Sequence, residues 1–260
     1  MTQRSWSREV VAVPGCGLSV LVRRAADPAV LILHGQFGVA SLFQSVYGRE
    51  LTAQTVAIPD LRGRGQSVCS DESSYSWARL VDDVIALLDH LGASSAVLAG
   101  SSMGAGLAVA TALRHPQRVD ALVLWPMPYA GSRIGWIGGQ QAAMHAVLDF
   151  ARDVRERSLE EAIATYCERD PTVDAVGLRA RWARHDPSSL AAALLGLGWS
   201  QPFDYLDDLG AIAVPTAVAP GGDELHPRHV GERYLEVITN AEGITDAPAD
   251  FFRFVAGLTR

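Results

Sequence analysis

Short, wholly apolar runs alternate along the chain with longer segments in which apolar residues recur every three or four positions. The runs are AVLILHG (29–35), TVAIPD (55–60), SAVLAG (95–100), ALVLWP (121–126) and PTAVAP (215–220). A strand that is apolar at every position has to be buried on both faces, which is the condition of a parallel sheet with helices above and below it. Upstream, EVVAVPG (9–15) and LSVLVRRA (18–25) carry β-branched, partly alternating residues about a Pro-Gly-Cys-Gly turn and predict a hairpin. Helical spacing is clearest across 75–93, where Leu80, Val81, Val84, Leu87, Leu88 and Leu91 share a face and Gly92 supplies the stop. A second helix is predicted directly after Ser102 and is ended by Pro116. The elements add up to an α/β fold with a mostly parallel, doubly wound sheet.

Between Pro126 and Pro215 no convincing strand is found. The segment instead carries QQAAMHAVLDFARDVRER, then SLEEAIATYCERD with a Ser158…Glu161 capping box, then PSSLAAALLGLGWS. The reading is a helical lid over 128–200, inserted into a core formed by 1–127 and 201–260. The glycine-rich stretch GSRIGWIGG (131–139) lacks the lysine and spacing of a phosphate-binding loop and reads as a hinge for that lid.

Composition narrows the partners. The 260 residues carry a formal charge of -7, and no basic cluster exceeds a local group such as Arg152, Arg155 and Arg157, so nucleic acid has no cationic footprint to bind. All 22 basic side chains are arginine, which excludes Schiff-base chemistry and a Ser-Lys dyad, because arginine keeps its proton. Cys16, Cys69 and Cys167 are odd in number and scattered, so reduced thiols are expected. The absence of a leader or of an apolar run of about 18 to 20 residues predicts a cytoplasmic protein with no membrane partner. No metal is implied, since no His or carboxylate pair has ligand spacing, and no cofactor is called for.

Four motifs carry the chemistry. His34-Gly35-Gln36-Phe37-Gly38 follows a strand; Asp60-Leu61-Arg62-Gly63-Arg64-Gly65-Gln66-Ser67 follows another; Gly100-Ser101-Ser102-Met103-Gly104 is a G-x-S-x-G pentapeptide between strand and helix; PGGDELHP (220–227) follows a late strand. In this order and context the chain resembles the α/β-hydrolase family across nearly its whole length. The resemblance implies that Ser102 is the nucleophile on a tight turn, that the backbone N–H groups of Gln36 and Met103 form the oxyanion hole, and that Asp223 is the acid that orients a histidine. It also implies that Asp60 to Ser67 form a structural loop beside the site. Asp223 can also be read as a turn aspartate capping the helix at Pro227, the weaker of the two readings.

The resemblance breaks at the base. The family's histidine follows one more strand beyond the acid, yet no histidine follows His229 here, and Gly243-Ile244 fall where a Gly-His pair is expected. The last strand and its loop are expected to be missing or much shortened, leaving a sheet edge on which a second copy could pair as a homodimer. Of the seven histidines, His34 reads as a buried structural residue, and His90 and His115 as helix-end caps. His226 is close to the acid, but three residues along a turn usually point elsewhere. His145 and His185, in the lid, are the candidates for a replacement base. Phe37, Trp125, Tyr129 and Trp136, with Met127, are candidates for an apolar pocket, though ordinary core packing fits them as well.

Two functions stay open on the sequence. One is a serine hydrolase or acyl-transfer enzyme acting on a small apolar ester, thioester or lactone through Ser102. The other keeps the fold and pocket without hydrolysis, as a lyase, isomerase or cyclase or as a ligand-binding protein, because no histidine follows the acid.

Overall fold

The computed structural model describes residues 5–48 and 50–258. The chain opens with β1 (Ser7–Val13) and β2 (Cys16–Arg23), then β3 (Ala26–Leu33), α1 (Ala40–Tyr47), β4 (Gln54–Pro59), α2 (Trp77–Leu91), β5 (Ala96–Ser101), α3 (Met103–Arg114) and β6 (Val119–Trp125). Four helices follow without a strand: α4 (Gly139–Glu156), α5 (Leu159–Arg169), α6 (Ala175–Trp182) and α7 (Pro187–Leu197). The chain then returns to the sheet through β7 (Thr216–Val218), α8 (Arg228–Val237), β8 (Ala241–Gly243) and α9 (Pro248–Gly257).

The strands form one sheet in the order β1-β2-β4-β3-β5-β6-β7-β8. β1 and β2 are the expected hairpin, with Val13 opposite Cys16 and Gly15 at φ 73° in the turn. β2 pairs antiparallel with β4, and every pair from β4 to β8 is parallel. The apolar runs are buried on both sides. In β5, Ala96 and Leu98 face a core shared with α2, α3 and α8, while Val97 and Ala99 face the core beneath α1 and α9. Period-two alternation between two dry faces is why these runs show no polar positions.

α2 is held at its start by Ser76, whose side chain accepts from Arg79 N, and at its end by Gly92 in the left-handed conformation at φ 70°. The inserted helices have an apolar core of their own, built from Phe150, Ile163, Trp182, Leu190 and Leu194 among others. α4 and α7 also turn Met144, Leu148, Ala193 and Leu197 towards the main core. Half of the expected capping box forms: Ser158 Oγ accepts from Glu161 N at 3.2 Å, while the Glu161 carboxylate accepts from the Ser158 hydroxyl at 2.8 Å and not from its backbone N–H. α6 has no counterpart among the sequence-based expectations, because AVGLRARW lacks a sustained apolar stripe and only Trp182 is buried. Among the described residues no helix is long and apolar enough to cross a membrane.

The last strand, expected to be missing or much shortened, is present as three residues. β8 pairs in parallel with β7 over Thr216–Val218 and Ala241–Gly243, and Ile244 N adds a bond to Val218 O at 2.9 Å. Its three residues, Ala-Glu-Gly, have little β preference and no alternation, so this strand is defined by its pairing. β7 is therefore not the edge of the sheet.

Candidate active site

The sharpest local feature is at the carboxyl end of β5. Ser102 sits at φ 52° and ψ −112°, and it alone of the described non-glycine residues has a positive φ. A serine held there is strained, and strain of this kind persists only where its surroundings over-determine it. Those surroundings are the flanking glycines. A Cβ on Gly100 would lie 2.3 Å from Gly104 O, and one on Gly104 would lie 2.1 Å from Leu33 O. Only glycine lets β5, α3 and the end of β3 approach this closely. Ser102 N donates to Trp125 O at 3.0 Å, which ties the turn to the end of β6.

Two backbone N–H groups belong to the segments that flank the serine. Met103 opens α3, where the first-turn N–H groups have no acceptor within the helix and the helix dipole favours negative charge. The loop after β3 folds into a tight turn closed by Gly38 N to Gly35 O at 2.9 Å. A Cβ on Gly35 would meet Ser102 Cβ at 3.4 Å, so the segment carrying Gln36 lies against the serine. His34 anchors this turn from below. It is fully buried, its Nδ1 contacts Gly35 O at 2.7 Å, and its Nε2 accepts from Leu61 N at 3.0 Å.

The loop after β7 supplies both remaining partners. His226 Nε2 stands 3.0 Å from Ser102 Oγ, and His226 Nδ1 stands 2.9 Å and 3.0 Å from the two oxygens of Asp223. The carboxylate also closes its own turn, since Asp223 Oδ1 accepts from Leu225 N at 2.9 Å and from His226 N at 2.8 Å. Desolvation of the Asp223 carboxyl opposes ionisation, but the bonds from the His226 ring and from these N–H groups outweigh it and hold the group below the usual carboxylate range. Asp223 thus keeps its negative charge beside the imidazole at neutral pH.

Two further residues hold this loop. Gly221 lies at φ 87°, and a Cβ there would meet His226 O at 2.7 Å and Pro126 Cβ at 3.0 Å. Gln140 of α4 is fully buried and its amide donates to both Pro128 O at 2.8 Å and Leu225 O at 2.7 Å. The inserted helices are thereby fastened to the loop that carries the imidazole.

A cavity of about 200 Å³ opens at the serine, lined by Gln36, Phe37, Ser102, His226 and Leu225 from the core and by Met144 and Val147 from α4. Tyr129 and Trp136 form its inner wall, their rings 5.3 Å apart, and Trp136 Nε1 donates to Trp199 O. Of the pocket candidates, Phe37, Tyr129 and Trp136 therefore line one cavity with Ser102. Trp125 does not. It follows Leu124 on β6 and so points to the opposite face of the sheet, where it packs against Tyr47 and Phe251.

Neither histidine expected as a replacement base reaches the serine. His145 lies on the exposed side of α4, its ring 4.6 Å from that of Trp199, while Met144 and Val147 take the positions facing the cavity. His185 is buried after α6, and its Nδ1 accepts from Gly65 N at 2.9 Å. Its Nε2 finds no partner among the described residues. Burial, together with the nearby Arg64 charge, depresses its pKa to about 4, and burial does the same to His34, also to about 4.

Both imidazoles are therefore neutral in the folded protein, whereas the unfolded chain protonates them near pH 6.5. Their contribution to stability is complete above that value and is lost as pH falls towards about 4, since the unfolded state takes up protons first. For the fully buried His34 the loss is on the order of 3 kcal/mol. The urea midpoint should accordingly fall between about pH 6.5 and about pH 4, and His185→Gln should flatten that fall. A midpoint equally pH-sensitive in the variant would contradict the assignment to His185.

The residue that sequence reasoning passed over is His226. Its signal is the Asp-x-x-His spacing. An aspartate that accepts the N–H groups two and three residues ahead turns the chain back on itself, and the third side chain then lies over the carboxylate. Pro227 follows and disfavours a helical conformation for His226, so α8 starts beyond it at Arg228.

Comparison with known proteins agrees with this architecture. A 2-hydroxymuconate semialdehyde hydrolase of Pseudomonas putida is 41% identical over 99 residues, which is 37% of this chain and 35% of that protein. An sn-1-specific diacylglycerol lipase of Mus musculus is 37% identical over 126 residues, 47% of this chain and 40% of that protein. The chain thus matches about a third to two fifths of the length of these relatives. Among solved structures, an esterase from Exiguobacterium antarcticum superposes with a TM-score of 0.75 at 20% identity, covering 96% of this chain and 98% of that one. An enol-lactonase from Burkholderia xenovorans gives 0.71 at 20% identity, covering 96% and 97%. At such identity these two speak for the fold alone. The family model of the alpha/beta hydrolase fold matches residues 28–250, and the chain belongs to that family.

Proposed function

We propose that the protein is a serine hydrolase that cleaves a small, largely apolar ester, thioester or lactone through Ser102, with His226 as its base and Asp223 as the orienting acid. The observation that carries this reading is the unbroken relay from Ser102 Oγ to His226 Nε2 at 3.0 Å and from His226 Nδ1 to Asp223 at 2.9 Å. In the acylation step the bond from Ser102 Oγ to the acyl carbon forms while the carbonyl electron pair moves onto oxygen. The serine proton passes to His226 Nε2, which returns it to the leaving group as the tetrahedral species collapses. Water repeats the sequence to release the acid. The N–H groups of Gln36 and Met103 are the donors for the oxyanion.

The apolar lining of the cavity supports a small apolar acyl group, and α4 to α7 act as the lid that excludes water from it. The non-hydrolytic alternative rests on the lack of a histidine beyond the acid loop, and His226 removes that motive. Intact-protein mass after treatment with a fluorophosphonate tests the reading. The parent should gain one adduct promptly and Ser102→Ala none; an unmodified parent after hours would overturn it.

A further inference from the structure

Arg64 stands behind the site with a charge that nothing nearby balances. It is 1% exposed, yet among the described residues no carboxylate pairs with it. Arg62, two residues earlier, shows the contrast: its guanidinium meets Asp83 through two bonds of 2.8 Å and 2.7 Å. Arg64 has only neutral acceptors. Its Nη1 donates to Arg62 O at 2.9 Å, its Nε to Gln36 O at 3.3 Å, and its Nη2 reaches Met103 Sδ at 3.2 Å. Burial lowers its pKa to about 10, which leaves it cationic at neutral pH.

An unpaired buried cation is costly, and such a cost persists where the charge is used. The acceptors say where. Gln36 and Met103 belong to the two segments that flank Ser102, and one guanidinium touches both, at the Gln36 carbonyl and the Met103 sulfur. We propose that Arg64 is the positioning residue of the oxyanion hole, locking the Gln36 loop to the head of α3, and that its uncompensated charge stabilises the negative charge that develops on the substrate oxygen. In a site shielded from water a fixed cation acts on that oxygen without reorganising during the reaction. The inference rests on the serine-hydrolase reading above.

The test compares the parent with Arg64→Met and Arg64→Lys on p-nitrophenyl butyrate and on mono-p-nitrophenyl glutarate, a neutral and an anionic ester. Stopped-flow acylation rates, KM and the affinity for a trifluoromethyl ketone, which adds to the serine as an oxyanion, are the readouts. Arg64→Met should slow acylation about tenfold to a hundredfold and weaken the ketone by the same factor, with KM nearly unchanged and both esters affected alike. Arg64→Lys, which keeps the charge but not the three-way grip, should fall between parent and methionine variant, and it carries the test if the methionine variant does not fold. A loss in KM alone, a loss confined to the anionic ester, or an unaltered ketone affinity in a folded variant would overturn the proposal. A parent that neither acylates nor binds the ketone would instead count against the hydrolase reading.

Discussion

Replacing His226 by alanine should lower kcat on a small p-nitrophenyl ester by about a millionfold, the scale seen when the base is removed from a serine triad. The reason is local. Ser102 Oγ has a ring nitrogen at 3.0 Å, and without it the hydroxyl has no group to receive its proton during attack. The serine would remain in its strained turn, so the variant should fold and keep its affinity for substrate. His145→Ala, in contrast, removes a ring that packs on Trp199 outside the cavity, and its rate should stay within a few-fold of the parent. Pre-steady-state release of p-nitrophenol measures both. A His226→Ala protein that retains a tenth of the parental burst would mean that the proton goes elsewhere.

Asp223→Asn should cost about a thousandfold to ten-thousandfold in kcat, less than loss of the imidazole itself. The substitution is nearly isosteric, and the amide oxygen can still accept the N–H groups of Leu225 and His226, so the loop should keep its shape. The amide nitrogen then faces His226 Nδ1 as a donor. That contact favours the tautomer with the proton on Nε2, the atom that must accept from Ser102. The Asp223 side chain is 65% exposed, so water can replace part of its electrostatic effect, and the loss should lie at or below the value for a buried acid. Single-turnover acylation, with thermal unfolding beside it to show an intact fold, is the measurement. A change of less than tenfold would reduce Asp223 to the cap of its own turn.

Much of the scaffold is readable in the sequence because its signals are local. The runs at 29–35, 95–100 and 121–126 form β3, β5 and β6, since full burial on both faces leaves nothing polar to write. The pentapeptide at Ser102 is legible because two glycines are demanded where an added Cβ would lie only 2.3 Å and 2.1 Å from backbone oxygens. β8 is hidden, because Ala241, Glu242 and Gly243 owe their conformation to β7 and not to their own preference. Trp125 is misplaced for a simpler cause: an apolar run names the strand but not which alternate positions face the ligand. His226 is missed when family order outweighs turn geometry, whereas the ring reaches Ser102 from a residue 124 positions away in sequence through the fold of β7. The buried grip of Gln140 on Pro128 and Leu225 likewise depends on how α4 docks, which no local pattern reports.

Carrying carboxylate and imidazole on one turn changes what the carboxyl-terminal part of the chain must do. Where the two groups come from separate loops, their spacing depends on the docking of every element between them. Here Asp223 and His226 are set by a turn of four residues and by a glycine at φ 87°. α9 can fray or re-dock against Tyr47 without altering the distance between carboxylate and imidazole. α9 is thereby released to vary or to open transiently, while carboxylate and imidazole stay paired.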